Sequence, residues 1–195
     1  MTNKIRARYL GPATVGLGVM GASIYLLMVN ITLAHLEAIS GLIPFDMRPL
    51  GYSHAEALTL LGALGADGRA YYLSHQIPLD TVYPALLALT LMGAICWIGQ
   101  RLPNRTLVRA GVALSLGAAA FDYAENLAIC VMIWNGPTPS VPLVFAASAA
   151  TIAKSVLTSL AVSLTLLLGA MWARQSMAER RVLRGGGRRV RRVIE

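Results

Sequence analysis

The chain has 195 residues, of which 56% are hydrophobic and 13% charged, with a mean hydropathy of +0.60. A soluble domain carries roughly 25% charged residues, so this composition excludes an ordinary water-soluble fold and predicts an integral membrane protein. The formal charge of +8 does not predict specific nucleic-acid binding, because the basic residues stand in short blocks beside apolar runs and no base-reading motif accompanies them.

Met1–Tyr9 is polar, with Lys4, Arg6 and Arg8, and an apolar run from Leu10 to Leu36 follows. A secretory signal has such a basic start but an apolar core of only ~7–15 residues, so this longer run predicts an uncleaved first span. Gly11, Gly16, Gly18, Gly21, Ala22 and Ser23 give it a thin face for close helix packing. Asn30, Thr32, His35 and Glu37 make its far end polar.

The segment 41–79 is the one substantial stretch outside the membrane. Between Ile43 and Gly51 it holds Pro44 and Pro49, which predicts an extended, turning strap. Ser53-His54-Ala55-Glu56 matches a capping box and opens a short helix to about Leu64, with Leu58, Leu61 and Leu64 on one side and Gly65 as its C-terminal cap. Asp67 opens a second short helix through Tyr71, Tyr72 and Leu73, which Pro78 ends. Both are too short to span and amphipathic enough to lie on the bundle or at the interface.

Asp80 caps the second span, 81–100, whose ends carry Tyr83 and Trp97 as interfacial aromatics. A tight connection with Pro103 leads to the third span, 107–134, rich in small residues from Gly111 to Ala120. The uncharged turn Asn135–Pro139 leads to the fourth span, 141–172, which holds Ala146, Ala147, Ser148, Ala149 and Ala150 and, deeper, Lys154. The fold class is therefore all-α: a four-span antiparallel membrane bundle over 1–174, with a short two-helix extracytoplasmic segment between spans 1 and 2. A basic tail, 175–195, follows. Its Gly185-Gly186-Gly187 run reads as a flexible joint and not a phosphate loop, since no strand precedes it and no lysine-serine pair follows.

Lys and Arg fix the orientation. Lys4, Arg6 and Arg8, then Arg101, Arg105 and Arg109, then Arg174 and the tail form three basic blocks, while 41–79 holds only Arg48 and Arg69. This asymmetry places both termini in the cytoplasm, as in a bacterial inner membrane. The expected partners are membrane lipids, with anionic lipid on the arginine tail at ~1 kcal/mol per charge, and a second copy or a larger membrane complex.

The chemistry lies in Asp122, Glu125 and Asn126, which interrupt the third apolar run. Their i, i+3, i+4 spacing puts them on one helix face, with Tyr123 turned away. Asp122 stands ~20 Å from Arg109 and ~18 Å from Trp134, near mid-span. A carboxylate facing lipid there costs ~2.5–3.5 kcal/mol, so the face turns inward. It forms either a polar pocket with acid/base capacity or a hydrogen-bond network that fixes helix packing. Lys154 lies at matching depth, near Thr151, Ser155 and Thr158, and is expected to pair with Asp122 or Glu125.

His35, His54 and His75 fall near Glu37, Glu56, Asp67 and Asp80, but the pairs His35–Glu37 and His54–Glu56 have i, i+2 spacing, which points ligands apart on a helix, and no two-ligand motif is present, so no metal and no cofactor is expected. Cys96 and Cys130 fall near opposite ends of neighbouring spans and are not expected to bridge. No G-x-S-x-G or other nucleophile arrangement occurs.

The candidate ligand site comprises Asp122, Glu125, Asn126 and Lys154, with Asn30, His35, Arg48 and Tyr83 around them. The layout resembles small four-span proteins with acidic residues in a bilayer cavity, such as sterol isomerases and their ligand-binding relatives, though no motif is shared and no residue role carries over. The function expected is binding of a lipid or amphipathic small molecule, or service as an accessory subunit of a membrane complex. The alternatives are a membrane-embedded, isomerase-like enzyme using Asp122 and Glu125 as acid and base, with Lys154, His35 or Arg48 stabilising charge, and a proton- or ion-coupled conductor.

Overall fold

The computed structural model describes the backbone of residues 2–102 and 104–194 and the side chains of residues 9–102 and 104–177. The first span is a continuous rod: α1 (Thr2–Leu27), a π turn (Met28–Thr32) and α2 (Leu33–Ser40), closed by Gly41 in the left-handed conformation. A 3₁₀ turn at Phe45–Met47 follows. Then come α3 (His54–Tyr71), a second π turn (Tyr72–Gln76) and α4 (Ile77–Gly99). Last are α5 (Arg105–Trp134), whose first turn is capped by Asn104, and α6 (Val141–Ile194). No strand occurs among the described residues. Four of the helical rods are long and apolar enough to cross a membrane, as expected of a multi-pass membrane protein.

Pro103, the side chains of Lys4, Arg6 and Arg8, and those of the arginine block from Arg180 lie outside the described residues. The backbone of α6 continues through Gly185–Gly187, where the sequence predicts a joint.

The connector departs from expectation at Pro78. The second short helix does not end there but runs straight into the second span, so Asp80 lies within a helix and caps nothing. A proline ring clashes with the carbonyl four residues back in a regular helix. The wider turn immediately before Pro78, in which the Ile77 N–H reaches the carbonyl of Tyr72, relieves that clash.

The capping box forms as predicted: the Glu56 N–H donates to Ser53 Oγ at 3.3 Å, and the Ser53 N–H to Glu56 Oε2 at 2.7 Å. Gly65, at φ 62° and ψ −168°, breaks the helix. This backbone region is essentially closed to other residues. Arg69 crosses the break and donates to the carbonyl of Leu61 at 2.7 Å. The inner face is Ala57, Leu60, Leu61, Leu64 and Gly68. Leu58, expected there, is only half-buried, because the stripe starts one residue earlier.

The larger core lies beneath this connector, where Leu36, Phe45, Leu60, Leu61 and Tyr72 meet Ile129, Met132 and Val144. A smaller one joins Ile95, Ile98, Leu102 and Leu168 at the opposite end. Between them α5 packs on both α4 and α6, and α1 packs on α4. The thin face of α1 makes this approach possible: a Cβ at Gly11 would come within 3.1 Å of Trp97, and one at Gly18 within 3.2 Å of Thr90.

The strap docks on the small-residue patch of α6. Gly51 has φ 81°, and a Cβ there would strike Ser148 Oγ and Ile152. The next amide, of Tyr52, donates to Ser148 Oγ at 2.8 Å.

Candidate functional site: a buried acid cluster around Lys154

Helical spacing on α5 turns Asp122, Glu125 and Asn126 inward, with exposures of 8%, 0% and 5%. Tyr123 turns outward as expected, though its hydroxyl reaches the carbonyl of Thr81 at 2.9 Å. The Lys154 ammonium on α6 sits between both acids, 3.1 Å from Asp122 Oδ1 and in contact with Glu125 Oε2. Thr151, one turn before Lys154, donates to the other Glu125 oxygen at 2.6 Å. The Asn126 amide donates to the backbone carbonyl of Asp80 at 2.8 Å and so ties α5 to α4.

Two acids that the sequence places elsewhere join this group. Asp80 is only 2% exposed. Asp46, carried in on the strap, stands near it and accepts from the Tyr72 hydroxyl. Among the described residues Lys154 engages two carboxyl groups directly, those of Asp122 and Glu125.

The Tyr52 hydroxyl faces Thr151, and burial together with nearby Glu125 pushes it above the usual phenol range. The two π turns meet where Thr32 Oγ donates to Gln76 Oε1 at 2.5 Å. Asp46 Oδ1, Asp80 Oδ2 and Asn126 Oδ1 are buried acceptors with no donor, and Gln76 Nε2 is a buried donor with no acceptor.

Three of the expected ligand residues are not brought in. Asn30 is exposed and returns its amide to the carbonyl of Leu26 at 2.7 Å. The π turn gives its inner positions to Met28 and Thr32 instead. His35 is exposed and packs on Tyr71, which in turn stacks on His75. Arg48 spends its guanidinium on the carbonyl of Ile43, at 2.8 and 2.9 Å, and on Glu56 at 3.5 Å. Tyr83 is half-buried beside the group, its ring 5.6 Å from that of Tyr25.

Asp46 and Asp80 were hidden in the sequence by their prolines, one reading as a loop residue and the other as a cap. The available signal was the spacing Tyr72, Gln76, Asp80, which gives a polar stripe on one helix face only if the helix survives Pro78.

A cleft of about 10 Å3 beside Asp122, walled by Leu87, Leu91, Ser115, Ala118 and Thr158 among others, has room for about one water. Among the described residues no three His, Cys, Asp or Glu side chains are arranged to hold a metal, and Cys96 and Cys130 are free.

The described residues are all-helical, with four helices long and apolar enough to cross a membrane and a charged cluster buried among them. Comparison with known proteins finds no matching family, no matching curated protein and no matching solved structure.

Proposed function

We propose that this chain is an antiparallel four-span bundle that binds a lipid or amphipathic small molecule against the Asp122–Lys154 face, with the strap as its lid. Both termini lie on the cytoplasmic side, where the basic blocks gather, and the connector lies on the other. The arginine tail rests on anionic lipid.

One observation carries the reading: the strap inserts an aromatic ring and a carboxyl group, Phe45 and Asp46, side by side at the charged centre. Their arrangement imitates the apolar body and polar head of an amphipathic ligand. Gly41 at φ 68° and Gly51 at φ 81° bracket this plug, so the backbone can turn at both ends. A ligand enters by displacing the plug, since the space left beside Asp122 has room for little more than a water.

Native mass spectrometry of the protein released from its membrane tests this. A lipid-sized adduct on the wild type, lost in Asp122→Asn, is the expected result. No adduct on either protein would contradict it and favour a purely structural or subunit role.

A further inference from the structure

We infer that the cleft beside Asp122 binds a single water molecule, so that Asp122 is the acid of this centre that meets water and Glu125 is not. The inference stands apart from the amphiphile reading, because it concerns the centre whether or not a ligand covers it.

Space is the first ground. α4 contributes Pro84 and Ala88 to the cleft, α5 contributes Ser115, Ala118 and Asp122, and α6 contributes Thr158. A proline ring and small side chains leave about 10 Å3 where these helices meet, close to what one water needs. Pro84 also lacks the N–H that would reach the Asp80 carbonyl, four residues back in α4. Asn126 takes that carbonyl at 2.8 Å, so its amide is committed to mending the helix.

Hydrogen bonding is the second and independent ground. Glu125 is 0% exposed, and its oxygens go to Thr151 and Lys154. Asp122 keeps 12% of its side chain exposed. Its Oδ1 receives Lys154 at 3.1 Å, and among the described residues its Oδ2 receives no donor. Across the cleft, Thr158 is an exception on α6. Thr151, Ser155, Ser159 and Thr165 each donate to the carbonyl four residues back, as helical hydroxyls commonly do. Thr158 makes no such bond among the described residues and lines the cleft instead. Ser115 donates to the Gly111 carbonyl at 2.8 Å, which leaves its oxygen able to accept. A water donating to Asp122 and Ser115 and accepting from Thr158 has the usual complement of partners for a buried one. An apolar cavity this small would stay dry, but an unpartnered carboxylate oxygen on the wall favours hydration. Proton exchange between this centre and water then runs through Asp122, while Glu125 remains the dry counter-ion of Lys154.

Water-edited magic-angle-spinning NMR of the full chain in lipid bilayers, with isotopically labelled carboxyl carbons, tests the inference. It reads how fast magnetisation passes from water to each carboxyl carbon, and Asp122→Asn and Glu125→Gln assign the two signals. The Asp122 signal is expected to build up severalfold faster than that of Glu125. Thr158→Val keeps the shape of the side chain but removes its hydroxyl, and is expected to slow the Asp122 build-up severalfold while leaving Glu125 unchanged. Ala119→Val, which fills the cleft from another wall, gives the same comparison should the first variant fold poorly. Equal build-up at the two acids of the wild type, fast or slow, would overturn the inference. So would a fast Asp122 signal that both variants retain, because its water would then lie elsewhere.

Discussion

Asp80 is the residue whose position most separates a site from a scaffold. It is buried without a cation of its own, and one of its oxygens has no partner. A side chain kept only for stability would not stand so, whereas a ligand site tolerates such a cost. Asp80→Asn replaces a buried carboxyl group that has no cation partner with an amide, and is expected to stabilise the ligand-free protein by about 1–3 kcal/mol. Chemical denaturation in mixed micelles measures this, and a loss of similar size would mark Asp80 as structural. At this scale the sequence was legible where helix geometry is regular. Counting depth along α5 and α6 was enough to bring Lys154 to Asp122 and Glu125. It failed at the π turns, where one extra residue per turn moves Asn30 outward and Thr32 inward.

The decisive elements are the connector helix and the strap. Leu60, Leu61 and Leu64 are buried in the main core, so the connector docks as an ordered part of the protein. Amide hydrogen exchange is expected to show protection at Leu60–Leu64 and Tyr72–Gln76, and exchange at unfolded-chain rates across both would remove the lid. Gly65 holds a backbone conformation nearly closed to other residues. Gly65→Ala is therefore expected to cost about 1–3 kcal/mol, whereas Gly62→Ala, where a Cβ meets open space in a regular helix, is expected to stabilise by about 0.5–1 kcal/mol. Equal effects at the two glycines would contradict the break. The capping box and Gly65 were readable because each is a local rule about a few adjacent residues. The continuity through Pro78 was not, because it depends on a wider turn that no propensity marks.

Across the whole molecule, composition and apolar run length were sufficient to predict four membrane-crossing helices, since the bilayer sets element length directly. Which ends meet follows from short turns, and the proposed sidedness rests on the basic blocks. Reporter fusions at Ala66 and after Glu195 are expected to report opposite sides, and a cytoplasmic signal at Ala66 would reverse the orientation.

The charged centre is what joins the spans into one object. Lys154 alone offsets the acids of α5, so Lys154→Met leaves them buried and unpaired, at an expected cost of about 3–5 kcal/mol. Adding Glu125→Gln or Asp122→Asn to that variant is expected to recover part of the loss. A double-mutant cycle on unfolding in detergent reads the coupling, expected at about 0.5–3 kcal/mol for each pair. Purely additive losses in both cycles would mean that the charges do not meet, and the site built around Lys154 would fall with them.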